Sequence, residues 1–142
     1  MEKFYIVRKS LLKIITLTLA EIITRPAISA KKHTPLKEIA FEIFYNFFSG
    51  VPVTDDDGRV IGVVTEIDLL KQIRAGQGLK ELTANDVMTK SPITVDITAS
   101  LDDVLNIMIE QNVIRIPVTE GDCLVGIVAR RDILRHYPEL TG

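Results

Sequence analysis

The sequence predicts an α/β (α+β) fold made of two copies of one strand-helix-strand-strand-helix unit. The stretches GVPVTDDDGRVIGVVTEIDLL (residues 50–70) and RIPVTEGDCLVGIVARRDIL (residues 115–134) share one order of features: a Pro-Val-Thr strand, an acidic turn with glycine, a Gly-apolar-apolar strand and an aspartate. A shift of 65 residues also aligns LTLAEIIT (17–24) with LTANDVMT (82–89). Internal similarity of this kind indicates a duplicated supersecondary unit.

The register of the repeat changes once. A shift of 65 residues pairs Pro52 with Pro117, whereas a shift of 64 pairs Asp68 with Asp132. The missing residue falls in the acidic turn, where a change of length disturbs a fold least. We therefore expect an N-terminal extension, a first repeat and a second repeat at residues 1–16, 17–76 and 77–142.

Composition indicates a folded protein of the cytoplasm. Of the 142 residues, 46% are hydrophobic and 25% charged, and the net charge of −2 gives no general attraction to nucleic acid or an acidic membrane. One cysteine forms no intramolecular disulfide, which favours a reducing compartment. The apolar stretch at residues 11–23 contains Lys13 and Glu21 and is shorter than the roughly 20 residues of a spanning helix.

Each copy begins with a short helical turn and a short extended piece. The patterns TLAE (residues 18–21) and TAND (83–86) are those of capping boxes, which open helices. Extended pieces are expected around residues 27–30 and 93–95.

A longer helix follows in each copy, with Pro35 in the first turn of one and Ser100 capping the other. Apolar residues recur there at helical spacing and predict the buried faces. These residues are Leu36, Ile39, Ala40, Ile43, Phe44 and Phe47 in the first copy, and Leu101, Val104, Leu105, Met108 and Ile109 in the second.

A β-hairpin and a last helix complete each copy. Glycine in an acidic turn between apolar runs is typical of a hairpin. The predicted strands are 51–54 and 60–64 in the first copy and 116–119 and 124–128 in the second, and the last helices begin near Asp68 and Asp132.

Those two aspartates lie where a strand passes directly into a helix. The first N–H groups of a helix are unpaired and its dipole is positive there, so this corner suits a phosphate. A carboxylate offers two acceptor oxygens, which match the vicinal hydroxyls of a ribose, as in dinucleotide-binding folds. Asp68 and Asp132 are therefore candidate ribose ligands.

Helix capping is the alternative role for the aspartates. Thr65 and Asp68 have capping-box spacing, and such a cap contributes about 1 kcal/mol to stability. The second copy has Ala129 at the cap position, without a side-chain oxygen, yet keeps Asp132. That difference favours a ligand role for Asp132, or the interaction with the helix dipole that any first-turn aspartate makes.

The segments VMTKSPITV, IRIPV, SGVPVTDDDGRVIGVVTEIDLL and GIVARRDIL resemble the cystathionine-β-synthase-domain (CBS) family, arranged as a tandem pair. The resemblance covers roughly residues 17–137. It implies a pseudo-two-fold module that usually dimerises and binds adenosyl ligands (AMP, ADP, ATP, S-adenosylmethionine, sometimes NAD) in clefts between the repeats. Binding in such modules regulates an attached or partner protein.

The resemblance also implies two unequal sites. The family often has a phosphate-binding arginine just before the hydrophobic-Pro-Val strand, and this position holds Arg115 in the second copy but Gly50 in the first. The family's Ser/Thr position holds Thr65 in the first copy and Ala129 in the second. Because a guanidinium fork suits phosphate oxygens, we expect the second-repeat site to prefer phosphate-bearing ligands. The first-repeat site is expected to be weaker for phosphate, empty, or suited to a less anionic adenosyl compound.

The predicted second-repeat site consists of Asp132, Arg115, Ala129, Arg130, Arg131, Ile93, Thr94, Val95 and Pro117. The predicted first-repeat site consists of Asp68, Thr65, Ile28, Ser29, Ala30, Gly50 and Pro52. In both, the three-residue extended segment is the family's base-contacting segment. For each aliphatic residue, the alternative to ligand contact is core packing. For each arginine, the alternative is a place on the solvated surface or in a salt bridge across a dimer interface.

The first long helix carries a second apolar face, made of Phe41, Tyr45 and Phe48. Three exposed aromatic rings favour aggregation, so we expect this face to be an interface. Either a dimer partner or residues 1–16 would cover it. For residues 1–16 the sequence leaves three alternatives open: an extra helix, a remnant of an upstream domain, or a docking segment.

Enzyme chemistry is not indicated. His33, His136 and Cys123 show no catalytic or metal-ligand spacing, and the acidic run at residues 55–57 is typical of a turn rather than of a calcium loop. We expect no catalytic residue, no metal and no resident cofactor. The expected function is a regulatory adenosyl-nucleotide sensor, and the alternative is a structural dimerisation module with empty clefts.

Overall fold

The computed structural model describes residues 17–136. Within them the chain forms six helices and seven strands, a mixed α+β architecture that confirms the predicted fold class. In chain order the elements are α1 (Leu19–Ile22), β1 (Ala30–Lys31), α2 (Leu36–Asn46), β2 (Gly50–Thr54), β3 (Val60–Thr65), α3 (Glu66–Arg74), α4 (Ala84–Val87), β4 (Thr89–Lys90), β5 (Val95–Asp96), α5 (Leu101–Glu110), β6 (Arg115–Glu120), β7 (Cys123–Ala129) and α6 (Arg130–Arg135). The predicted N-terminal extension lies outside the described residues.

The chain divides into two compact units, and the boundaries of these units do not coincide with the boundaries of the sequence repeats. The first-repeat unit contains Ala27–Ile93 and Gly121–Leu124, and the second-repeat unit contains 17–26, Thr94–Glu120 and 125–136 of the described residues. The opening segment of each repeat therefore belongs to the unit that is built around the other repeat.

The first-repeat unit contains a four-stranded sheet in the order β1-β2-β3-β4. β1 runs parallel to β2, and the other two pairs are antiparallel. The register places Gly50 beside Thr65 and Val63 beside Thr89. The core under this sheet consists of Ala30, Leu36, Ile39, Ile43, Val51, Val53, Val64, Leu69 and Ala84.

The second-repeat unit contains a three-stranded sheet in the order β5-β6-β7, in which β5 runs parallel to β6. An antiparallel bridge between Thr24 and Ile127 adds a further pairing to the edge of this sheet beside β7. This bridge corresponds to the pairing of β4 with β3 in the first-repeat unit. The core consists of Leu19, Ile22, Val95, Leu101, Val104, Met108, Ile116, Val118, Val128 and Ile133.

The repeated glycine of the Gly-apolar-apolar strand has a steric reason. A Cβ at Gly126 would lie 2.6 Å from Cδ1 of Ile23 and 3.0 Å from the carbonyl oxygen of Thr24. At Gly62 the corresponding Cβ would lie 2.6 Å from the sulfur of Met88. In each unit the glycine thus allows the opening segment of the other repeat to lie directly against the hairpin strand.

The side chains of α2 differ from the predicted pattern at its end. Phe44 and Phe47 were expected in the core, but they are 73% and 95% exposed. The helix ends at Asn46, and Phe47 adopts a left-handed conformation (φ 56°) that breaks the helical periodicity. Phe48 instead packs against the core, so it does not share an exposed surface with Phe41 and Tyr45.

Four aromatic side chains are exposed on this part of the first-repeat unit. The ring of Phe41 stacks on Tyr45 with centroids 5.4 Å apart, and Phe44 meets Tyr45 edge-on at 5.2 Å. We call Phe41, Phe44, Tyr45 and Phe47 the aromatic face. In α5, Ile109 was likewise expected in the core but is 76% exposed.

Local capping signals were confirmed in part. The hydroxyl of Ser100 accepts a hydrogen bond from the N–H of Asp103 (3.0 Å), as expected for the cap of α5. Thr18 makes no side-chain capping bond, so the capping box predicted for α1 is wrong. Pro35 occupies the N-cap itself, one position before the first turn of α2.

Candidate functional site

The first aspartate corner lies where β3 passes into α3. The Oδ2 atom of Asp68 accepts hydrogen bonds from the N–H (2.8 Å) and the hydroxyl (3.0 Å) of Thr65. The N–H of Asp68 in turn donates to the Thr65 hydroxyl (3.3 Å), which completes a capping box. Among residues 17–136, nothing hydrogen-bonds to the Oδ1 atom of Asp68, whose side chain is half-buried. Capping is therefore a confirmed role of this aspartate and leaves one carboxylate oxygen open.

The second aspartate corner lies where β7 passes into α6. Here Oδ2 of Asp132 accepts from the N–H of Ala129 (2.7 Å), and Oδ1 accepts from the hydroxyl of Thr24 (3.3 Å). Arg135 lies 3.9 Å from the same Oδ1. Asp132 is only 4% exposed. Half of a capping box thus survives without a cap side chain, and the carboxylate is held at both of its oxygens.

Arg115 supplies positive charge to the second-repeat unit. It begins β6 and is half-buried. Burial lowers the pKa of Arg115 from its ordinary value, while the nearby carboxylate of Asp132 acts in the opposite direction. Because an arginine side chain stays protonated at neutral pH, a half-buried cation lies in the electrostatic field of the buried Asp132 carboxylate.

The equivalent place in the first-repeat unit is held by Gly50, where a Cβ would be a tight fit. A Cβ at Gly50 would lie 3.0 Å from the carbonyl oxygen of Val64 and 3.3 Å from Cγ2 of Thr65. The two corners therefore differ in charge. The expected difference in ligand preference stays a prediction.

The other two predicted arginines have different surroundings. The Nε atom of Arg130 donates to the carbonyl oxygen of Val113 (3.1 Å), and its Nη2 atom donates to Oδ1 of Asn112 (2.9 Å). These bonds fix the loop after α5, a role for Arg130 that differs from the predicted ligand contact and from both of its alternatives, a solvated surface and a dimer salt bridge. Arg131 is exposed.

The predicted base-contacting segments are divided between core and surface. The side chains of Ala30 and Val95 are buried in the two cores, which supports core packing for these residues. Ile28 is half-buried, whereas Ser29, Ile93 and Thr94 are exposed, and Pro52 and Pro117 are buried in their strands. Ile93 is the last residue of its segment in the first-repeat unit, whereas Thr94 and Val95 belong to the second-repeat unit.

Thr24 is a contact of Asp132 that sequence reasoning missed. The repeat alignment pairs Thr24 with Thr89, but an alignment does not show which unit each opening segment joins. The backbone of Thr24 is fixed by two hydrogen bonds with Ile127, one in each direction (2.9 and 3.2 Å). Only the chain topology brings this hydroxyl to a carboxylate 108 residues away.

The acidic turn of the first hairpin uses its carboxylates locally. Oδ1 of Asp55 accepts from the N–H groups of Asp57 and Arg59, both at 2.9 Å, which is turn chemistry. Cys123 lies beside it, with its sulfur 3.5 Å from the carbonyl oxygen of Asp57. Within residues 17–136, no group of three or more His, Cys, Asp or Glu side chains is placed to hold a metal ion.

An apolar groove of about 550 Å³ lies between α2 and α3 of the first-repeat unit. Glu66 is its one charged lining residue, and the groove adjoins the aromatic face through Phe44 and Phe47. The lining consists of Ala40, Ile43, Phe44, Phe47, Phe48, Glu66, Leu69, Leu70, Ile73 and Leu79. In the described part of the chain, the helices are too short or too polar to cross a lipid bilayer.

Comparison with known proteins gives consistent matches over most of the chain. The family model of the CBS domain matches twice, at residues 19–75 and 84–139. Hypoxic response protein 1 of Mycobacterium tuberculosis is 33% identical over 123 residues, which cover 86% of either chain.

Two similar solved structures contain adenosyl ligands. The CBS domain protein PAE2072 from Pyrobaculum aerophilum, complexed with AMP, is 26% identical with a TM-score of 0.72, over 87% of this chain and 99% of that one. The CBS domain pair of protein MJ0100, in complex with 5′-methylthioadenosine and S-adenosyl-L-methionine, is 25% identical with a TM-score of 0.74, over 88% and 98% of the two chains.

Proposed function

Because the chain belongs to the CBS domain family, we propose that it is a non-catalytic regulatory module that binds adenosyl ligands and signals to a partner protein. Relatives of the same fold bind AMP or S-adenosylmethionine. The proposal is supported in this chain by the corner of the second-repeat unit, where Asp132 lies in the first turn of α6 and the half-buried Arg115 begins β6. In the proposed role, the carboxylate accepts from sugar hydroxyls and the guanidinium pairs with phosphate. We place the protein in the cytoplasm, in keeping with its single cysteine.

The two corners are proposed to bind different ligands. Asp132 with Arg115 suits AMP, ADP or ATP, because a guanidinium pairs with phosphate oxygens. The corner of Asp68 has Gly50 in place of the arginine, so it suits a ligand with less negative charge, such as S-adenosylmethionine, or stays empty. Arg131 is exposed and remains a candidate phosphate contact, whereas Arg130 is assigned to the loop it fixes.

Thermal melting in the presence of AMP, ATP, S-adenosylmethionine and NAD tests the proposal. A ligand that binds only the native state stabilises it by mass action, by about 2.7 kcal/mol at a concentration of 100 Kd. That stabilisation raises the melting midpoint by several degrees. If none of the four ligands moves the midpoint, the protein is a structural dimerisation module rather than a sensor.

We also propose that the aromatic face binds a second copy of this chain, unit against like unit. The equivalent positions of Phe41 and Tyr45 in α5 are Asn106 and Glu110, both exposed. Pairing the aromatic face with α5 would bury the Glu110 carboxylate against apolar rings, which is costly. A two-fold contact of the aromatic face with itself covers both copies without burying a charge.

A further inference from the structure

The hydroxyl of Thr24 and the carboxylate of Asp132 form a polar pair made by the two ends of the described chain. The Thr24 hydroxyl donates to Oδ1 of Asp132 at 3.3 Å. The other carboxylate oxygen already accepts from the N–H of Ala129. Asp132 is only 4% exposed, whereas Thr24, which donates to it, is exposed.

A ribose needs more than a carboxylate for recognition. Each of its two vicinal hydroxyls donates one hydrogen bond and accepts others, whereas an ionised carboxylate only accepts. A threonine hydroxyl donates and accepts. Because the Thr24 hydroxyl gives its one proton to Asp132, its oxygen remains an acceptor beside the carboxylate. Thr24 and Asp132 therefore offer neighbouring acceptors to the two protons of adjacent sugar hydroxyls.

The first-repeat unit does not have this arrangement. Thr89 is the equivalent of Thr24 and pairs with Val63 as Thr24 pairs with Ile127. Among the described residues, however, Asp68 receives its side-chain hydrogen bonds from Thr65 alone. The two threonines thus have matching backbone positions. Thr24 hydrogen-bonds to the aspartate of its unit, whereas Thr89 does not.

We propose that Thr24 is a ribose-reading residue of the Asp132 site and determines its preference for ligands with both sugar hydroxyls. The inference rests on the proposed function, since it names a further binding residue of the same site. Two backbone hydrogen bonds with Ile127 hold Thr24 in place, so its side chain can be exchanged without moving the segment.

Calorimetric titration of the full chain with AMP, 2′-deoxy-AMP and 3′-deoxy-AMP tests this inference. The wild-type protein is expected to prefer AMP by about tenfold or more, because a site that hydrogen-bonds a hydroxyl rejects ligands that lack it. Thr24→Val, which keeps the shape and removes the hydroxyl, should weaken AMP about tenfold and reduce the preference over the deoxy ligands. Thr24→Ser should restore both, and Thr89→Val, the matched control, should bind as the wild type does.

The outcomes separate this inference from the proposed function. If the wild type binds AMP, Asp132→Ala weakens it, and Thr24→Val behaves as the wild type, then the sensor function stands and the role of Thr24 is overturned. Equal wild-type affinity for AMP and both deoxy ligands also overturns the role of Thr24. This measurement needs only the wild-type protein, so it does not depend on whether a variant folds. A wild type that binds no adenosyl ligand overturns both.

Discussion

Thr65 and Ala129 hold the same position in their repeats, and each donates its backbone N–H to the carboxylate three residues later, at 2.8 and 2.7 Å. Only Thr65 returns a side-chain oxygen to the N–H of its aspartate. One capping box is therefore complete, and the other lacks one of its two bonds.

This difference predicts opposite stability changes for two substitutions. Thr65→Ala should lower the free energy of unfolding by about 1 kcal/mol, because it removes a cap oxygen. Ala129→Thr should raise it by about 0.5–1 kcal/mol, because it supplies one. Urea unfolding of both variants measures the changes, and a destabilising Ala129→Thr would contradict the capping account.

The unequal corners predict an order of binding losses. Asp132→Ala should weaken AMP by at least tenfold more than Asp68→Ala, since only the corner of Asp132 contains an arginine. Calorimetry with AMP measures both losses. The reverse order would assign the phosphate ligand to the first-repeat unit instead.

The role of Arg115 is separable from that of the aspartates. Arg115→Ala should weaken AMP about 10–100-fold, because a hydrogen bond to a charged group contributes about 1.5–3 kcal/mol. Adenosine, which has no phosphate, should bind the variant nearly as well as it binds the wild type. Arg74→Ala, which removes an exposed arginine outside both predicted sites, is the control and should bind AMP as the wild type does. An equal loss for adenosine in Arg115→Ala would show that Arg115 acts on the fold rather than on phosphate.

The aromatic face predicts the oligomeric state. Phe44→Glu with Tyr45→Glu should convert a dimer into a monomer in sedimentation velocity, because two carboxylates would be buried in each half of the contact. Ile109→Glu is the control, since Ile109 is equally exposed at the position of α5 that matches Phe44. An unchanged profile for the double variant would remove the aromatic face from the interface.

The contact at Gly126 predicts a steric cost. Gly126→Ala should destabilise the fold by about 1–3 kcal/mol, because its Cβ would overlap Ile23 and approach the backbone of Thr24. Gly78→Ala is a suitable control, since a Cβ there meets no atom within 4 Å. Chemical denaturation compares the two, and equal stabilities would mean that the opening segment moves aside freely.

Local signals in the sequence predicted the elements well. The hairpins were found within about one residue of their ends because a glycine in an acidic turn and flanking apolar runs act over a few neighbouring residues. The capping box of Thr65 and the cap of Ser100 were confirmed for the same reason.

Features that depend on distant contacts were not predicted. Helical periodicity placed Phe44 and Phe47 in the core, but it does not show where α2 ends or which face its neighbours cover. The bond between Thr24 and Asp132 was missed because the opening segments join the opposite units, and a repeat alignment is identical for either arrangement.

The exchange of opening segments has a consequence for synthesis of the protein on the ribosome. The first-repeat unit is nearly contiguous, so most of it can fold while translation continues. The second-repeat unit requires Thr24 to meet Ile127, and β7 emerges from the exit tunnel long after the segment that it must capture. Until then the apolar residues Leu19 and Ile22 have no core to enter. We expect the nascent chain to pass through a partly folded intermediate in which this early segment is exposed and binds chaperones.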